Sequence, residues 1–102
     1  RVLTRDAMLD NVSLYWFTAT AASSARLYWH SFRNFAGGQV AVPTGCSLFP
    51  QEIFRLSRRW AERRYTNIVH WGEPERGGHF AAWEEPEIFA SEVRAALAKM
   101  DL

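Results

Sequence analysis

A histidine that follows two glycines is the residue of this sequence best suited to acid–base chemistry. His79 comes directly after Gly77 and Gly78 in a loop predicted to follow a strand, and Glu52 lies just after an earlier strand candidate. Loops beyond the carboxyl ends of parallel strands carry function in α/β folds. If the two strands are neighbours, Glu52 can reach His79 and stabilise the imidazolium that forms when the ring takes a proton. The spacing indicates a possible general base with an orienting carboxylate.

The same residue types also fit structural roles, and the pattern alone leaves both interpretations open. A histidine after a glycine pair is often a plain loop residue, and Glu52 at the start of a helix would be favoured by the helix dipole. Tyr28 lies in an aromatic helical region, where it is either a hydroxyl donor to a ligand or part of the core. We expect His30, on a face rich in Tyr and Trp, and His70, inside an apolar strand, to be structural.

Other kinds of reactive site leave no trace in the sequence. No set of His, Cys and carboxylate residues has the spacing of metal ligands, and no glycine loop is suited to phosphate, so we predict neither a metal nor a cofactor. A triad enzyme also needs a nucleophile on a strained turn of the form G-x-S-x-G or G-x-D-x-G. Neither form occurs in these 102 residues. The chain offers a possible base and acid, without a nucleophile.

The first third of the chain has a helical pattern. Thr4 is a suitable N-cap for a helix that begins at Arg5. Residues 18–33 continue as one or two helices, with a bend near residues 20–24. The pair Gly37-Gly38 ends this region.

The remainder alternates strands and helices. Residues 39–47 and residues 66–71 are predicted as strands, the first of them a buried parallel strand. Pro50 is predicted to open one helix and Pro86 another, with a loop over residues 72–83 between them. The helices carry apolar stripes at helical spacing, namely Ile53, Leu56 and Trp60 in the first and Phe89, Val93, Leu97 and Met100 in the second.

These elements predict an α/β chain whose sheet is incomplete. A strand–helix–strand unit fits a right-handed parallel crossover. Two parallel strands alone leave bare edges, although parallel sheets are usually covered on both faces. We therefore expect residues 1–36 to form a helical domain and residues 37–102 to form part of a larger sheet.

Composition and charge narrow the class of protein further. The net charge of +1, from 12 basic and 11 acidic residues, does not indicate a basic surface for binding nucleic acid. The local excess of arginine over residues 55–64 is expected to be a solvated helix face. The single cysteine, Cys46, excludes an internal disulfide and is expected to be a core residue. With neither a membrane-length apolar run nor a leader, the chain is expected to be soluble and cytoplasmic, and its start at Arg1 suggests an excised fragment.

Three blocks of the sequence, in order, resemble segments of the microsomal-type epoxide hydrolases of the α/β-hydrolase superfamily. Residues 9–28 resemble their lid helices. The V-P-T-G motif of residues 42–45 and the F-P-Q-E motif of residues 49–52 resemble their acid-bearing strand and loop. Residues 76–86 resemble their histidine loop. The blocks cover nearly the whole chain.

The resemblance implies a fold and a role for each candidate residue. The fold would be the C-terminal part of an α/β-hydrolase, with lid or cap helices over residues 1–36 and a strand–helix–strand–helix segment of the core over residues 37–102. His79 matches the general base that activates water, Glu52 the charge-relay acid, and Tyr28 one of two lid tyrosines that hydrogen-bond the epoxide oxygen. In the family an aspartate opens the epoxide as an alkyl-enzyme ester, and the activated water hydrolyses that ester to a vicinal diol.

The chain also departs from the family pattern. It lacks the aspartate, the second tyrosine, the upstream oxyanion segment and most of the sheet, and His30 stands where the family usually has glutamate. We therefore expect this chain to be inactive alone. Its expected partners are a small-molecule epoxide, water, and either the missing N-terminal part of a detoxification enzyme or a self-associated copy, with no nucleic acid and no membrane.

Two alternatives stay open. Another α/β-hydrolase, such as a haloalkane dehalogenase, would keep the histidine and the acid but polarise a halide, although the two motifs and Tyr28 favour an epoxide. A non-catalytic interaction or self-assembling module would use unpaired strand edges and exposed apolar helix faces.

Overall fold

The computed structural model describes residues 3–31 and 37–100, and its chain divides into two compact units, Arg1–Gly37 and Gly38–Leu102. In the first unit, helix α1 spans Arg5–Phe17 and helix α2 spans Ala21–Ser31. In the second, the order is strand β1 Thr44–Ser47, helix α3 Arg58–Ala61, strand β2 Ile68–Gly72, helix α4 Ala81–Glu84 and helix α5 Pro86–Leu97.

The beginning of α1 follows from its cap. Thr4 is extended and its side-chain oxygen accepts a hydrogen bond from the Ala7 backbone N–H at 3.1 Å, so the predicted N-cap is confirmed. Three residues separate the end of this helix from α2, and Ala19 in this break has a φ of 53°. The predicted bend is confirmed as a break between two helices, slightly earlier than residues 20–24. The predicted helical end at residues 32–33 and the last residues of the 1–36 segment lie outside the described residues.

The second unit is built on a two-stranded parallel sheet. Strand β1 pairs with β2, with Gly45 opposite His70 and Ser47 opposite Gly72. The prediction of a parallel strand–helix–strand unit is confirmed, but β1 is shorter than the predicted residues 39–47. Its residues are alternately half-buried and exposed, rather than buried as predicted.

The helix predicted from Pro50 is wrong, since α3 begins only at Arg58. The Gln51 backbone N–H instead donates to the Gly77 carbonyl at 3.0 Å, and a carboxylate oxygen of Glu52 accepts from the Ile53 N–H at 2.7 Å. These bonds commit the backbone to a loop rather than to a helical ladder. The interpretation of Glu52 as a first-turn helix residue is therefore also wrong.

Helix α5 covers one face of the sheet. It starts with Pro86 at its first turn, as predicted, and it packs against β1, β2 and α4. A side chain at Gly45 would place its Cβ 2.6 Å from the Ala96 Cβ, so the glycine permits the close approach of α5 to β1. No helix within residues 3–31 and 37–100 is long and apolar enough to cross a membrane.

Candidate active site

The loops that follow β1 and β2 are joined directly beside the two predicted site residues. Gln51 and Gly78 form a parallel β-bridge. Glu52 follows Gln51 and His79 follows Gly78 in the sequence, so the bridge sets Glu52 and His79 side by side. The His79 Nδ1 lies 2.7 Å from a carboxylate oxygen of Glu52. The structure thus brings together the two residues that the sequence placed at neighbouring strand ends.

The Glu52 carboxylate is prepared to accept the histidine proton. It accepts hydrogen bonds from the His79 ring and from the Ile53 backbone N–H. These two bonds lower the pKa of Glu52 from its usual value, with the His79 bond as the larger cause. Glu52 therefore stays ionised near neutral pH, which fixes the Nδ1 of His79 as the donor and leaves Nε2 as the nitrogen able to take a proton.

The glycines before His79 are required by the shape of its loop. Gly77 has a φ of +107°, which side chains rarely adopt, and a Cβ there would lie 2.6 Å from a ring carbon of Phe49. Phe49 itself is buried. A Cβ at Gly78 would lie 2.9 Å from a Glu84 carboxylate oxygen and 3.2 Å from the Gln51 carbonyl. The loop can therefore pass between Phe49 and Glu84 only because two successive residues lack side chains.

Two carboxylates of the next segment hold the other side of the loop. The Phe80 backbone N–H donates to the Glu84 carboxylate at 3.1 Å. Arg76, at the entrance of the loop, lies 3.5 Å from a carboxylate oxygen of Glu85. The His79 and Phe80 rings meet edge to face at 5.0 Å. The ring of His79 is thus oriented by backbone, carboxylate and aromatic contacts together.

A cavity of about 420 Å³ opens at the histidine. Its polar side chains are Ser47, Glu52 and His79, and its remaining lining is mainly aromatic and small: Phe49, Gly78, Phe80, Ala81, Ala82, Trp83 and Phe89. Apolar walls with a few convergent polar groups are typical of small-molecule sites. The side chain of His79 is 55% exposed and that of Glu52 32%, so a ligand in this cavity has access to the ring.

Tyr28, the third candidate residue, lies in α2 of the first unit and is exposed there. Its assignment to the same site as His79 stays a prediction. The Cys46 thiol lies half-buried in β1, and burial raises its pKa, which disfavours the thiolate that a nucleophile needs. Within the described ranges, no group of three or more His, Cys, Asp and Glu residues is arranged to hold a metal ion.

A second histidine–carboxylate pair was not predicted from the sequence. His70 is buried in β2, and its Nε2 lies 2.8 Å from a carboxylate oxygen of Glu92 on α5. The same oxygen accepts a hydrogen bond from the Ser47 hydroxyl at 2.7 Å. A signal was present, because residue 92 lies three positions after Phe89 and therefore borders the apolar stripe of α5. A carboxylate at such a position needs a buried partner.

Comparison with known proteins finds that the chain is similar to epoxide hydrolases. A protein of Stigmatella aurantiaca, whose name gives epoxide hydrolase as a provisional function, is 54% identical over 96% of this chain and 22% of its own length. Epoxide hydrolase 1 of Sus scrofa is 33% identical over 99% of this chain and 24% of its own length. No family model matches the chain.

A solved structure agrees with these sequence relatives. The crystal structure of juvenile hormone epoxide hydrolase from the silkworm Bombyx mori superposes with a TM-score of 0.86 at 38% identity, over 94% of this chain and 25% of that one. The resemblance and the α/β-hydrolase fold are thereby confirmed. The chain is similar to part of the epoxide hydrolases, which are α/β-hydrolases, and it spans about a fifth to a quarter of the length of the relatives it matches.

Proposed function

We propose that this chain is the base-bearing part of an epoxide hydrolase, which adds water to an epoxide to give a vicinal diol. The observation that supports this most directly is the 2.7 Å hydrogen bond between Glu52 and the Nδ1 of His79, at the edge of an accessible apolar cavity. The relatives described above are named for epoxides, which favours this reaction over dehalogenation. The full enzyme is this chain joined to the part that supplies the nucleophile.

The proposed reaction divides the work between two carboxylates and a histidine. An aspartate outside this chain attacks an epoxide carbon, the C–O bond breaks, and the oxygen takes a proton from Tyr28 acting as a lid donor. His79 then removes a proton from water through Nε2. The resulting hydroxide attacks the carbonyl carbon of the alkyl-enzyme ester and the bond from that carbon to the alkyl oxygen breaks. The diol leaves with the proton of the hydroxide, which restores the aspartate carboxylate, and the proton held by His79 returns to the Tyr28 oxygen. Glu52 stabilises the positive charge on His79 while the ring holds that proton.

By itself, the chain is proposed to be inactive. No residue here occupies a nucleophile turn, so the purified chain should not convert styrene oxide to its diol. Residues 1–36 are proposed to be the lid helices and residues 37–102 the C-terminal part of the hydrolase core. The roles in detoxification and in the cytoplasm that the sequence suggests stay predictions.

A matched pair of substitutions in the full enzyme tests the role of Glu52. Glu52→Gln removes the charge that stabilises protonated His79, so diol release should slow by about 10²-fold or more. Glu62→Gln is the control, because Glu62 is an exposed glutamate whose contact is an ion pair with Arg58 at 2.9 Å. Equal rates of diol formation in the two variants would refute the assignment of Glu52.

A further inference from the structure

The carboxylate of Glu92 joins the two strands that carry the catalytic loops. One of its oxygens lies 2.7 Å from the Ser47 hydroxyl and 2.8 Å from the His70 Nε2. Ser47 is the last residue of β1 and His70 lies within β2. A Cβ on Gly72 would collide with the same oxygen, so the carboxylate lies directly over a glycine of β2. The Glu92 carboxylate is therefore packed against the face of the sheet.

The charges around this cluster fix its hydrogen-bond directions. The Lys99 ammonium lies 3.3 Å from the His70 Nδ1 and can only donate, so Nδ1 accepts and Nε2 carries the proton that binds Glu92. The Ser47 hydroxyl supplies the second donor to the same oxygen. The side chain of Glu92 is 21% exposed and that of His70 8%. Every group that faces Glu92 thus holds it as an ionised acceptor.

The cluster lies directly upstream of the catalytic pair on both strands. Ser47 precedes Glu52 by five residues, and β2 leads from His70 into the loop that ends at His79. The regular backbone pairing between the strands is short, because β1 has four residues and its register with β2 is irregular between Thr44 and Gly45. Beyond β1 the pairing continues through single backbone bonds and the bridge at Gln51. A side-chain contact that ties Ser47 to His70 therefore restrains the relative position of the two loops.

We propose that Glu92, through Ser47 and His70, is a positioning residue that keeps the strand ends together and so maintains the distance between Glu52 and His79. Glu92 does not touch the reacting atoms and acts through the strand ends. This inference rests on the proposed function for its kinetic consequence, because the distance matters to ester hydrolysis. Small displacements of catalytic groups have large effects on rate, so a loosened pair should hydrolyse its ester more slowly while alkylation proceeds normally.

The test compares Glu92→Gln with Glu87→Gln in the full enzyme. Both residues lie on α5, but Glu87 is exposed in the first turn. Single-turnover kinetics with styrene oxide separate ester formation from ester hydrolysis. Glu92→Gln should slow hydrolysis roughly ten-fold and leave ester formation within about two-fold. Glu87→Gln should match the unsubstituted enzyme.

A spectroscopic measurement separates this inference from the proposed function. The proton between His79 Nδ1 and Glu52 should give a downfield ¹H NMR signal, identified by its loss in His79→Gln. Glu92→Gln should weaken or shift that signal whatever reaction the enzyme performs, and Glu87→Gln should not. Absence of any alkyl-enzyme would count against the proposed function alone.

The overturning result is a folded Glu92→Gln enzyme with an unchanged His79 signal and unchanged hydrolysis kinetics, whatever its melting temperature. That result would reduce Glu92 to a packing contact of α5. If Glu92→Gln fails to fold, Ser47→Ala is the second variant, because it removes one donor and leaves the bond between His70 and Glu92 in place. The same criteria then apply to Ser47→Ala, with a smaller expected slowing.

Discussion

The molecule contains two histidine–glutamate pairs of nearly equal length that differ in what remains available on the ring. His79 and Glu52 are 2.7 Å apart, and His70 and Glu92 are 2.8 Å apart. The Nδ1 of His70 accepts from Lys99, so both of its nitrogens are occupied. Among the described residues, the Nε2 of His79 has no hydrogen-bond partner. The pairing of residue types does not by itself identify a base, and the accessible second nitrogen does.

The two histidine rings also differ in their exposure to solvent. The side chain of His70 is 8% exposed, whereas that of His79 is 55% exposed and borders the cavity. A buried ring with two satisfied nitrogens stabilises the junction of sheet and helix. An exposed ring held by one carboxylate has a nitrogen to offer to water. The comparison assigns structure to the first pair and chemistry to the second, and the following substitutions test that division.

The largest effect is expected from exchanging each histidine for glutamine in the full enzyme. His79→Gln should reduce ester hydrolysis by about 10²- to 10⁴-fold, because the general base is lost. His70→Gln should reduce hydrolysis far less. It should instead lower the free energy of unfolding by about 1–3 kcal/mol, because the half-buried Glu92 loses its imidazole donor. Hydrolysis rates and urea unfolding measured for both variants test this difference. Equal losses of rate would contradict the assignment of His79 alone as the base.

Substitution of Gly77 should disturb the exposed pair through its backbone. Gly77→Ala places a side chain at a φ of +107° and against the Phe49 ring, which should cost about 1–3 kcal/mol in the free energy of unfolding and displace His79. Gly38→Ala is the control, because a Cβ there meets no atom within 4 Å. Urea unfolding measures both, and a Gly77→Ala variant as stable as Gly38→Ala would contradict the account of the loop.

Acid should act on the buried pair through Glu92. Its hydrogen bond with His70, and then that with Ser47, lowers the pKa of Glu92 below its usual value of 4.5. Below that value the unfolded chain binds more protons than the folded one, so this stabilisation is present above about pH 4.5 and is lost as the pH falls through the folded pKa. Unfolding free energies between pH 3 and pH 6 should depend less on pH in Glu92→Gln than in Glu87→Gln. Identical slopes would show that the Glu92 contacts are not stabilising.

The smallest effect is expected from the ion pair at the loop entrance. Arg76 is 71% exposed and 3.5 Å from Glu85, so its charge is screened by solvent. Arg76→Ala should change the free energy of unfolding by no more than about 0.5 kcal/mol and leave hydrolysis unchanged. A large loss of activity would show that the ion pair, rather than Gly77 and Phe49, shapes the histidine loop.

The parts of the fold that the sequence predicted correctly have local causes. Thr4 caps α1 through its own side chain, and Pro86 begins α5 because its missing N–H costs nothing there. The strand β2 follows from a short apolar run. The contact between Glu52 and His79 was also within reach, because the carboxyl ends of neighbouring parallel strands share one edge of a sheet.

The parts that the sequence did not predict depend on partners distant in the chain. Pro50 is a good helix opener, but the loop forms because Gln51 pairs with Gly77 and Gly78. Those bonds are invisible to a local pattern. Glu92 was missed for the same reason, since its partners Ser47 and His70 come from two other elements.

The most direct test of the central claim is the intact mass of the full enzyme carrying His79→Gln, measured after mixing with styrene oxide. The aspartate should still open the epoxide, while no base remains to activate water, so the account predicts a protein heavier by one styrene oxide molecule. His70→Gln treated in the same way should show little or no such adduct at steady state. An unmodified His79→Gln protein that has consumed its substrate would contradict the assignment of His79 as the base.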